Sequence, residues 1–200
     1  MSKKSRDKGS APLYAALFVR VDSSYKQRNN CDAWDIDRDA LNFQGNCPVV
    51  CHPPCRAWGQ LSHMATPREG EAELSLWAID TIRKNGGILE HPFGSRLFKK
   101  HLPDANQFPD EHGGFTVSID QYDFGHVAHK PTKLYFCGIK GNQLPQLPLI
   151  QDLERGPLRS MTGQVPGTLR ATQYEREYTP DLLIDYFESV LKIITNNKGF

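Results

Sequence analysis

A strand, a helix and a second strand follow one another between residues 48 and 92, and this order constrains the fold more than any other feature of the chain. Residues 48–52 and 88–90 are short apolar runs, and two prolines stop the first of them. Residues 69–85 repeat apolar side chains at intervals of three and four, begin with acids and end with Arg83-Lys84, as an amphipathic helix does. Gly86-Gly87 then ends the helix. Such a unit predicts two parallel strands joined by a right-handed crossover.

The rest of the chain contains the other elements that an α/β domain needs. Residues 13–19 form a continuous apolar run, the pattern of a strand that is buried on both faces. A final helix is predicted over residues 180–195, with Thr179 as its N-cap and Pro180 at its first position. Short strands are predicted at residues 31–36, 115–119 and 134–137. These elements predict a three-layer α/β fold with a mostly parallel sheet, in which 13–19, 48–52 and 88–90 are near neighbours.

The predicted domain organisation is simple. Residues 1–11 are expected to be a disordered basic arm, and residues 12–200 a single α/β domain. Within that domain, prolines and glycines interrupt residues 94–114, which are expected to be irregular or to form short helices. Residues 138–168 are rich in Pro, Gly and Gln, and this composition predicts a long loop.

Composition and charge exclude several classes of function. Lys and Arg number 24 against 23 Asp and Glu, so the chain lacks an overall basic field and DNA binding would need a local patch. The longest apolar run, residues 13–19, is too short to span a membrane, so no membrane partner is expected. The five cysteines follow no recognisable secretion signal, which favours free thiols in a reducing compartment and a cytoplasmic location.

Potentially reactive side chains follow three of the predicted strands. In an open parallel sheet, ligands bind beyond the carboxyl ends of the strands. Because strands 48–52 and 88–90 are expected to be neighbours, Cys55 and Glu90 are expected on one rim of the sheet. In chain order, the side chains at these strand ends are Asp35, Asp37, His52, Cys55, Glu90 and His91.

These motifs resemble those of a known enzyme family. The segment VVCHPPC at residues 49–55 resembles the catalytic loop of the C5-cytosine DNA methyltransferases, which has a Pro-Pro-Cys turn after a buried strand. Leu89-Glu90 is similar to the following strand of that family, which ends in a Glu, and WDID at residues 34–37 to the acidic end of its second strand. FGHVAHKPT at residues 124–132, followed by a strand, resembles a later basic motif. The chain is also similar to small phage and prophage proteins with His-Pro-Pro-Cys and Glu-His-Pro motifs.

The resemblance implies a Rossmann-like, methyltransferase-type fold and a cysteine-dependent reaction. Cys55 would be the nucleophile that attacks C6 of a pyrimidine, because a thiolate is a strong nucleophile and also leaves readily. Glu90 would hydrogen-bond the exocyclic amine and N3 of the base and stabilise the charge that develops on the ring. In a duplex, the base has to leave the stack to reach them. Since His52 and Arg56 are close in sequence to Cys55, we expect positive charge to lower the pKa of the Cys55 thiol.

The resemblance also implies a cofactor and a nucleic-acid partner. Asp35 and Asp37 would bind S-adenosylmethionine, with Asp35 on the ribose. Arg56, His91 and Lys130 would contact the phosphate or the base of DNA or of a nucleotide. These roles describe a minimal DNA cytosine-5 methyltransferase-like protein of phage or prophage origin.

The sequence departs from the family pattern at three places. Residues 19–28 contain no glycine where the family has a glycine-rich turn beside its cofactor. Residues 138–179 are too few for a separate target-recognition domain, so none is expected. His91 stands where the family usually has Asn.

Two other hypotheses of function stay open at this level. The first is a non-catalytic, methyltransferase-derived module that binds DNA or a host protein, in regulation or in evasion of host defence. The second is a metal-dependent nucleotide or DNA hydrolase that uses His52, Glu90 and His91, because imidazole and carboxylate groups suit divalent ions.

Overall fold

The computed structural model describes residues 11–60, 62, 66–147 and 157–199. The predicted basic arm therefore lies outside the described residues except for residue 11, and so does the middle of the predicted loop 138–168. No helix in these ranges is both long enough and apolar enough to cross a membrane.

Six strands form one mixed sheet around the predicted strand–helix–strand unit. The strand order is β2-β1-β3-β4-β6-β5, with β1 parallel to β2 and β3, and β3 parallel to β4. Strand β6 is antiparallel to both of its neighbours. The strands are β1 (Tyr14–Leu17), β2 (Cys31–Trp34), β3 (Val49–Cys51), β4 (Gly87–Pro92), β5 (Phe115–Asp120) and β6 (Pro131–Cys137). The predicted α/β class, the mostly parallel sheet and the parallel pairing of the first, third and fourth strands are confirmed.

Helices cover both faces of this sheet. The crossover helix α1 (Glu71–Asn85) and the C-terminal helix α4 (Asp181–Lys198) lie on opposite faces. Successive side chains of a strand alternate between faces, so Ala15 and Leu17 pack with the α1 layer and Tyr14 and Ala16 with the α4 layer. This three-layer arrangement is compatible with a Rossmann-like fold.

Small elements and one helix start differ from the sequence expectations. Helix α4 begins at Asp181 with Pro180 as its N-cap, one residue later than predicted from Thr179. Strand β6 begins at Pro131, three residues before the predicted strand 134–137, because main-chain pairing with β4 and β5 holds its first residues. Helix α2 (Leu97–Lys100) lies in the segment that was expected to be irregular or to form short helices. The unpredicted elements are too short to show a periodic pattern: α3 (Gln173–Glu177), β7 (Arg159–Ser160) and β8 (Leu169–Arg170).

Candidate functional site

The strand order reverses between β1 and β3, which defines where a ligand site is expected. The chain passes from β1 to β2 on one side and returns to β3 on the other, and the crevice beyond the carboxyl ends at such a switch point binds ligands in open α/β sheets. Phe18, directly after β1, has a φ of 61°, in the left-handed region that glycine adopts freely and a bulky residue rarely does. At the end of β1, the Leu17 carbonyl accepts the His52 N–H at 3.0 Å, where the loop that leads to Cys55 begins.

The loop that contains Cys55 is fixed to the start of helix α1. Cys55 is exposed, and the buried residue Trp58 lies just beyond it. Three hydrogen bonds join the loop to α1: Ser75 Oγ to the Pro54 carbonyl (3.5 Å), Arg56 Nε to Glu71 Oε1 (2.8 Å), and Trp58 Nε1 to the Ala72 carbonyl (3.2 Å). The segment that contains Cys55 is thus hydrogen-bonded to α1 on both sides of the cysteine.

Glu90 is a nearly buried carboxylate in β4, one residue beyond the part of that strand that pairs with β3; the predicted strand end at residue 90 is wrong, because pairing with β6 continues the strand to Pro92. Its Oε1 accepts a hydrogen bond from Gln121 Nε2 at 2.8 Å, and its Oε2 lies 3.0 Å from His52 Nδ1. Burial by itself raises the pKa of Glu90, but the Lys130 charge and the His52 hydrogen bond outweigh burial and lower it to about 2. Glu90 is therefore ionised at neutral pH and can only accept hydrogen bonds, so the expected hydrogen bond to N3 of a neutral cytosine, which is itself an acceptor, does not form.

His52 links Glu90 to a tyrosine on another element. Since a carboxylate only accepts hydrogen bonds, Nδ1 of His52 carries the proton that faces Glu90. In the neutral ring, Nε2 then accepts a hydrogen bond from the Tyr25 hydroxyl, 3.1 Å away. Tyr25 is buried, and this burial, with the negative charges near it, raises the pKa of its hydroxyl. The result is a directed chain of hydrogen bonds from Tyr25 through His52 to Glu90.

Cys55 and Glu90 leave neighbouring parallel strands at the same edge of the sheet. Burial raises the pKa of the Cys55 thiol, the Glu90 charge raises it further, and Lys130 acts in the opposite direction. The expectation of a lowered pKa for Cys55 is therefore wrong. The physical reason is that the Arg56 side chain hydrogen-bonds Glu71 and the His52 ring hydrogen-bonds Glu90. Neither side chain therefore stabilises the thiolate.

The other predicted substrate contacts have separate surroundings. His91 is buried, and neither of its ring nitrogens has a hydrogen-bond partner of good geometry. Burial lowers the pKa of His91 to about 4 against the opposing charge of Glu90. Lys130 donates a hydrogen bond from Nζ to the Tyr178 carbonyl at 3.2 Å, and Arg56 is half-exposed in its ion pair with Glu71.

Asp35, one of the two predicted cofactor residues, is not arranged to receive a cofactor, whereas Asp37 is exposed. Asp35 is buried and forms an ion pair with Lys26, and this hydrogen bond lowers its pKa. Oδ1 of Asp35 also accepts the backbone N–H groups of Asp37 (3.1 Å) and Arg38 (3.2 Å). The carboxylate that would hold a ribose is thus used by its own chain, and Tyr25 fills space beside β1. These residues do not fit S-adenosylmethionine.

The described part of the chain contains no set of side chains that could bind a metal ion. No three His, Cys, Asp or Glu side chains there are grouped so that they could share an ion. Both ring nitrogens of His52 already have partners, Glu90 and Tyr25. The hydrolase hypothesis therefore gains no support from the site.

Three residues of the site were missed in the sequence analysis. Gln121 and Thr132 are fully buried, and Gln121 Nε2 donates to Thr132 Oγ1 at 3.1 Å as well as to Glu90. A polar residue two positions after predicted strand 115–119 was a usable signal for Gln121. Nothing local marked Tyr25, since its partner His52 is distant in sequence.

Comparison with known proteins does not place the chain in a family. No protein-family model matches the sequence, and no curated protein matches it at a significant level. Function has to be inferred from the side chains at the carboxyl edge of the sheet.

Proposed function

We propose that this protein is an enzyme of the C5-cytosine methyltransferase type in fold and in its covalent step, with Cys55 and Glu90 acting on a pyrimidine base. One observation supports this above all. An exposed cysteine and a nearly buried, ionised glutamate follow the parallel pairing of β3 and β4 at the same edge of the sheet. Buried charges with strongly shifted pKa values at such an edge are typical of functional sites.

The reaction that these two groups support is reversible addition to the base. The sulfur of Cys55 forms a bond to C6, the electron pair of the C5–C6 double bond moves to C5, and C5 takes a proton from solvent as the thiol proton is released. Reversal removes a proton from C5 and expels the thiolate. Glu90 accepts a hydrogen bond from the exocyclic amine, which favours cytosine over a base with a carbonyl there.

The proposal covers addition and not methyl transfer, because the residues at the ends of β1 and β2 do not fit S-adenosylmethionine. The substrate proposed is a cytosine in single-stranded DNA or in a free nucleotide. All strands and helices of the described ranges belong to the main sheet, its flanking layers or the β7–β8 ladder, so sequence reading by a separate domain is not part of the proposal.

Exchange of the hydrogen on C5 tests this function without any cofactor. A single-stranded oligonucleotide or deoxycytidine monophosphate with tritium at C5 should release tritium to water, since addition and reversal replace that hydrogen. Cys55→Ser should abolish the release. Glu90→Leu, which removes the acceptor for the exocyclic amine, should slow it by about 10–10²-fold, the contribution of a hydrogen bond to a charged group. Cys47→Ser, which changes a cysteine outside the site, is the matched control. Absence of release from both substrates with wild-type protein would refute the proposal.

A second candidate, the non-catalytic module, is favoured by the ion pair between Lys26 and Asp35. A methyltransferase-derived protein that lost its cofactor has no need of an open carboxylate at the end of β2. In that case Cys55→Ser would leave binding to single-stranded DNA, measured by fluorescence anisotropy, at the wild-type affinity, and no tritium would be released.

A further inference from the structure

The turn Ser24–Gln27 lies at the carboxyl edge of the sheet, in the connection from β1 to β2, and contributes two side chains to the site. Tyr25 reaches His52, and Lys26 reaches Asp35. We propose that this turn takes the place of a cofactor: Lys26 closes the acidic end of β2, while Tyr25 and His52 position Glu90 for the base. This inference rests on the proposed function and adds positioning residues and cofactor independence to it.

The turn is a fixed part of the fold. The Tyr25 ring is 1% exposed and packs against the rings of Tyr14 (6.4 Å between centroids) and His52 (5.4 Å). At the end of the turn, the Arg28 guanidinium donates hydrogen bonds to Asp185 (2.6 Å) and Asp181 (3.3 Å) of helix α4. A turn with a buried ring and an anchor on another layer does not open to admit a ligand.

Because Asp35 pairs with Lys26, its carboxylate has few lone pairs left to accept hydrogen bonds from a ribose. One oxygen of Asp35 pairs with the ammonium group, and the other accepts two backbone N–H groups of the following turn. A carboxylate has about four lone-pair sites, and most of those of Asp35 are already occupied. A bound ribose would therefore have to displace the ion pair with Lys26 to form more than a single hydrogen bond.

Tyr25 supports the tautomer of His52 that the Glu90 carboxylate requires. Its hydroxyl donates to Nε2, while the proton on Nδ1 faces Glu90. Without that donor, Nε2 would lose its partner, and the position of the ring would depend on the Glu90 hydrogen bond alone. Gln121 holds the other oxygen of Glu90, so the two donors together fix the plane of the carboxylate and leave lone pairs for an exocyclic amine.

The first test measures positioning without measuring activity. In protein labelled with ¹⁵N-histidine and ¹³C-carboxyl glutamate, NMR should show His52 protonated on Nδ1 and Glu90 titrating near pH 2. Tyr25→Phe should keep the proton on Nδ1 and shift the Nε2 signal of His52, because Nε2 loses its hydrogen-bond donor. His52→Phe should raise the pKa of Glu90 by about one pH unit or more, and His52→Asn, which keeps a donor at the Nδ1 position, should restore part of the difference. An unchanged Glu90 titration in His52→Phe would overturn the positioning role.

The second test separates this inference from the proposed function. Calorimetry with S-adenosylmethionine should show no binding to wild-type protein at millimolar ligand. Binding that is lost in Asp35→Asn would overturn cofactor independence. In the tritium assay, Tyr25→Phe should reduce release about tenfold and shift its pH profile, with a reduction in kcat rather than a change in KM. If wild-type protein releases no tritium while the NMR results hold, the proposed function fails and the positioning of Glu90 stands.

Discussion

Replacement of Gly87 by alanine should disrupt the pairing on which the whole site depends. Gly87 opens β4 opposite Val49 of β3, with a φ of 151° that side chains rarely adopt. A Cβ atom there would lie 2.0 Å from the Val49 carbonyl oxygen, whereas real Cβ atoms essentially never approach closer than 3.0 Å. The Val49 N–H donates a hydrogen bond to the Gly86 carbonyl at 3.1 Å. Strands β3 and β4 would have to separate so far that this hydrogen bond would be weakened or lost.

The expected cost follows from these contacts. Backbone strain at such a φ costs about 1–3 kcal/mol, and overpacking against rigid backbone about 1–3 kcal/mol more. With a weakened strand hydrogen bond, Gly87→Ala should lose about 4 kcal/mol, a large part of the 5–15 kcal/mol that is typical of a folded domain. Urea unfolding followed by circular dichroism should show a midpoint lower by about 2 M.

Gly113→Ala is the matched control for this change. Gly113 also has a positive φ, 72°, but an added Cβ would meet nothing within 4 Å. It should therefore show only the conformational cost of about 1–2 kcal/mol. If Gly87→Ala were no less stable than Gly113→Ala, the close approach of β3 and β4 would not be as the structure has it.

Three further predictions concern the site and its supports. Glu71→Gln should weaken the anchor of the cysteine loop and slow tritium release, while exposed Glu73→Gln should change neither release nor stability; both are measured in the same assay and by urea unfolding. Glu90→Gln should speed alkylation of Cys55 at pH 7, since removal of a charge that raises the thiol pKa lowers that pKa; iodoacetamide labelling read by mass spectrometry checks this, and slower labelling would contradict it. Because the pKa of His91 is about 4 in the fold and near 6.5 in the unfolded chain, stability should fall by up to about 3 kcal/mol as pH drops from 6.5 to 4, and a dependence of equal size in His91→Leu would contradict this.

The strand–helix–strand unit was predictable because its signals are local. Apolar spacing, charges that complement the helix dipole and Gly86-Gly87 all lie within the helix or at its end, and they place α1 within two residues of its observed start. The position of β6 was not predictable. Its residues show a strand, but its insertion between β4 and β5 depends on pairings with residues far apart in the chain.

The sequence allowed a prediction of which residues belong to the site, but not of how their charges act on one another. Cys55 and Glu90 follow strands whose parallel pairing was expected, so the sequence contained the information that they share an edge. Besides burial, the direction of the Cys55 pKa shift depends on which partners the neighbouring charged side chains pair with. Arg56 is adjacent in sequence but pairs with Glu71, whereas Lys130 is distant in sequence and its charge acts on the thiol.

The last prediction concerns the stability of the buried pair His52–Glu90, because buried ionised groups contribute little to the stability of a fold. Burial of an ionised carboxylate costs several kcal/mol, and replacement of a buried pair by apolar residues of similar volume is often neutral or stabilising by about 1–4 kcal/mol. The double variant His52→Phe/Glu90→Leu removes both members of the pair, although Tyr25 and Gln121 each lose one hydrogen-bond partner. It should therefore unfold in urea at a midpoint no lower than that of either single variant. Each single variant should lose stability, because it leaves one buried polar partner unsatisfied.

The two measurements together separate a site kept for function from one kept for structure. If the double variant is as stable as wild-type protein and releases no tritium, the cost of holding Glu90 ionised beside Cys55 serves the reaction and not the fold. If the double variant is less stable than both single variants, the network holds the layers together. The shifted pKa of Glu90 would then be explained by packing, and it would no longer support the assignment of this edge as the reactive site.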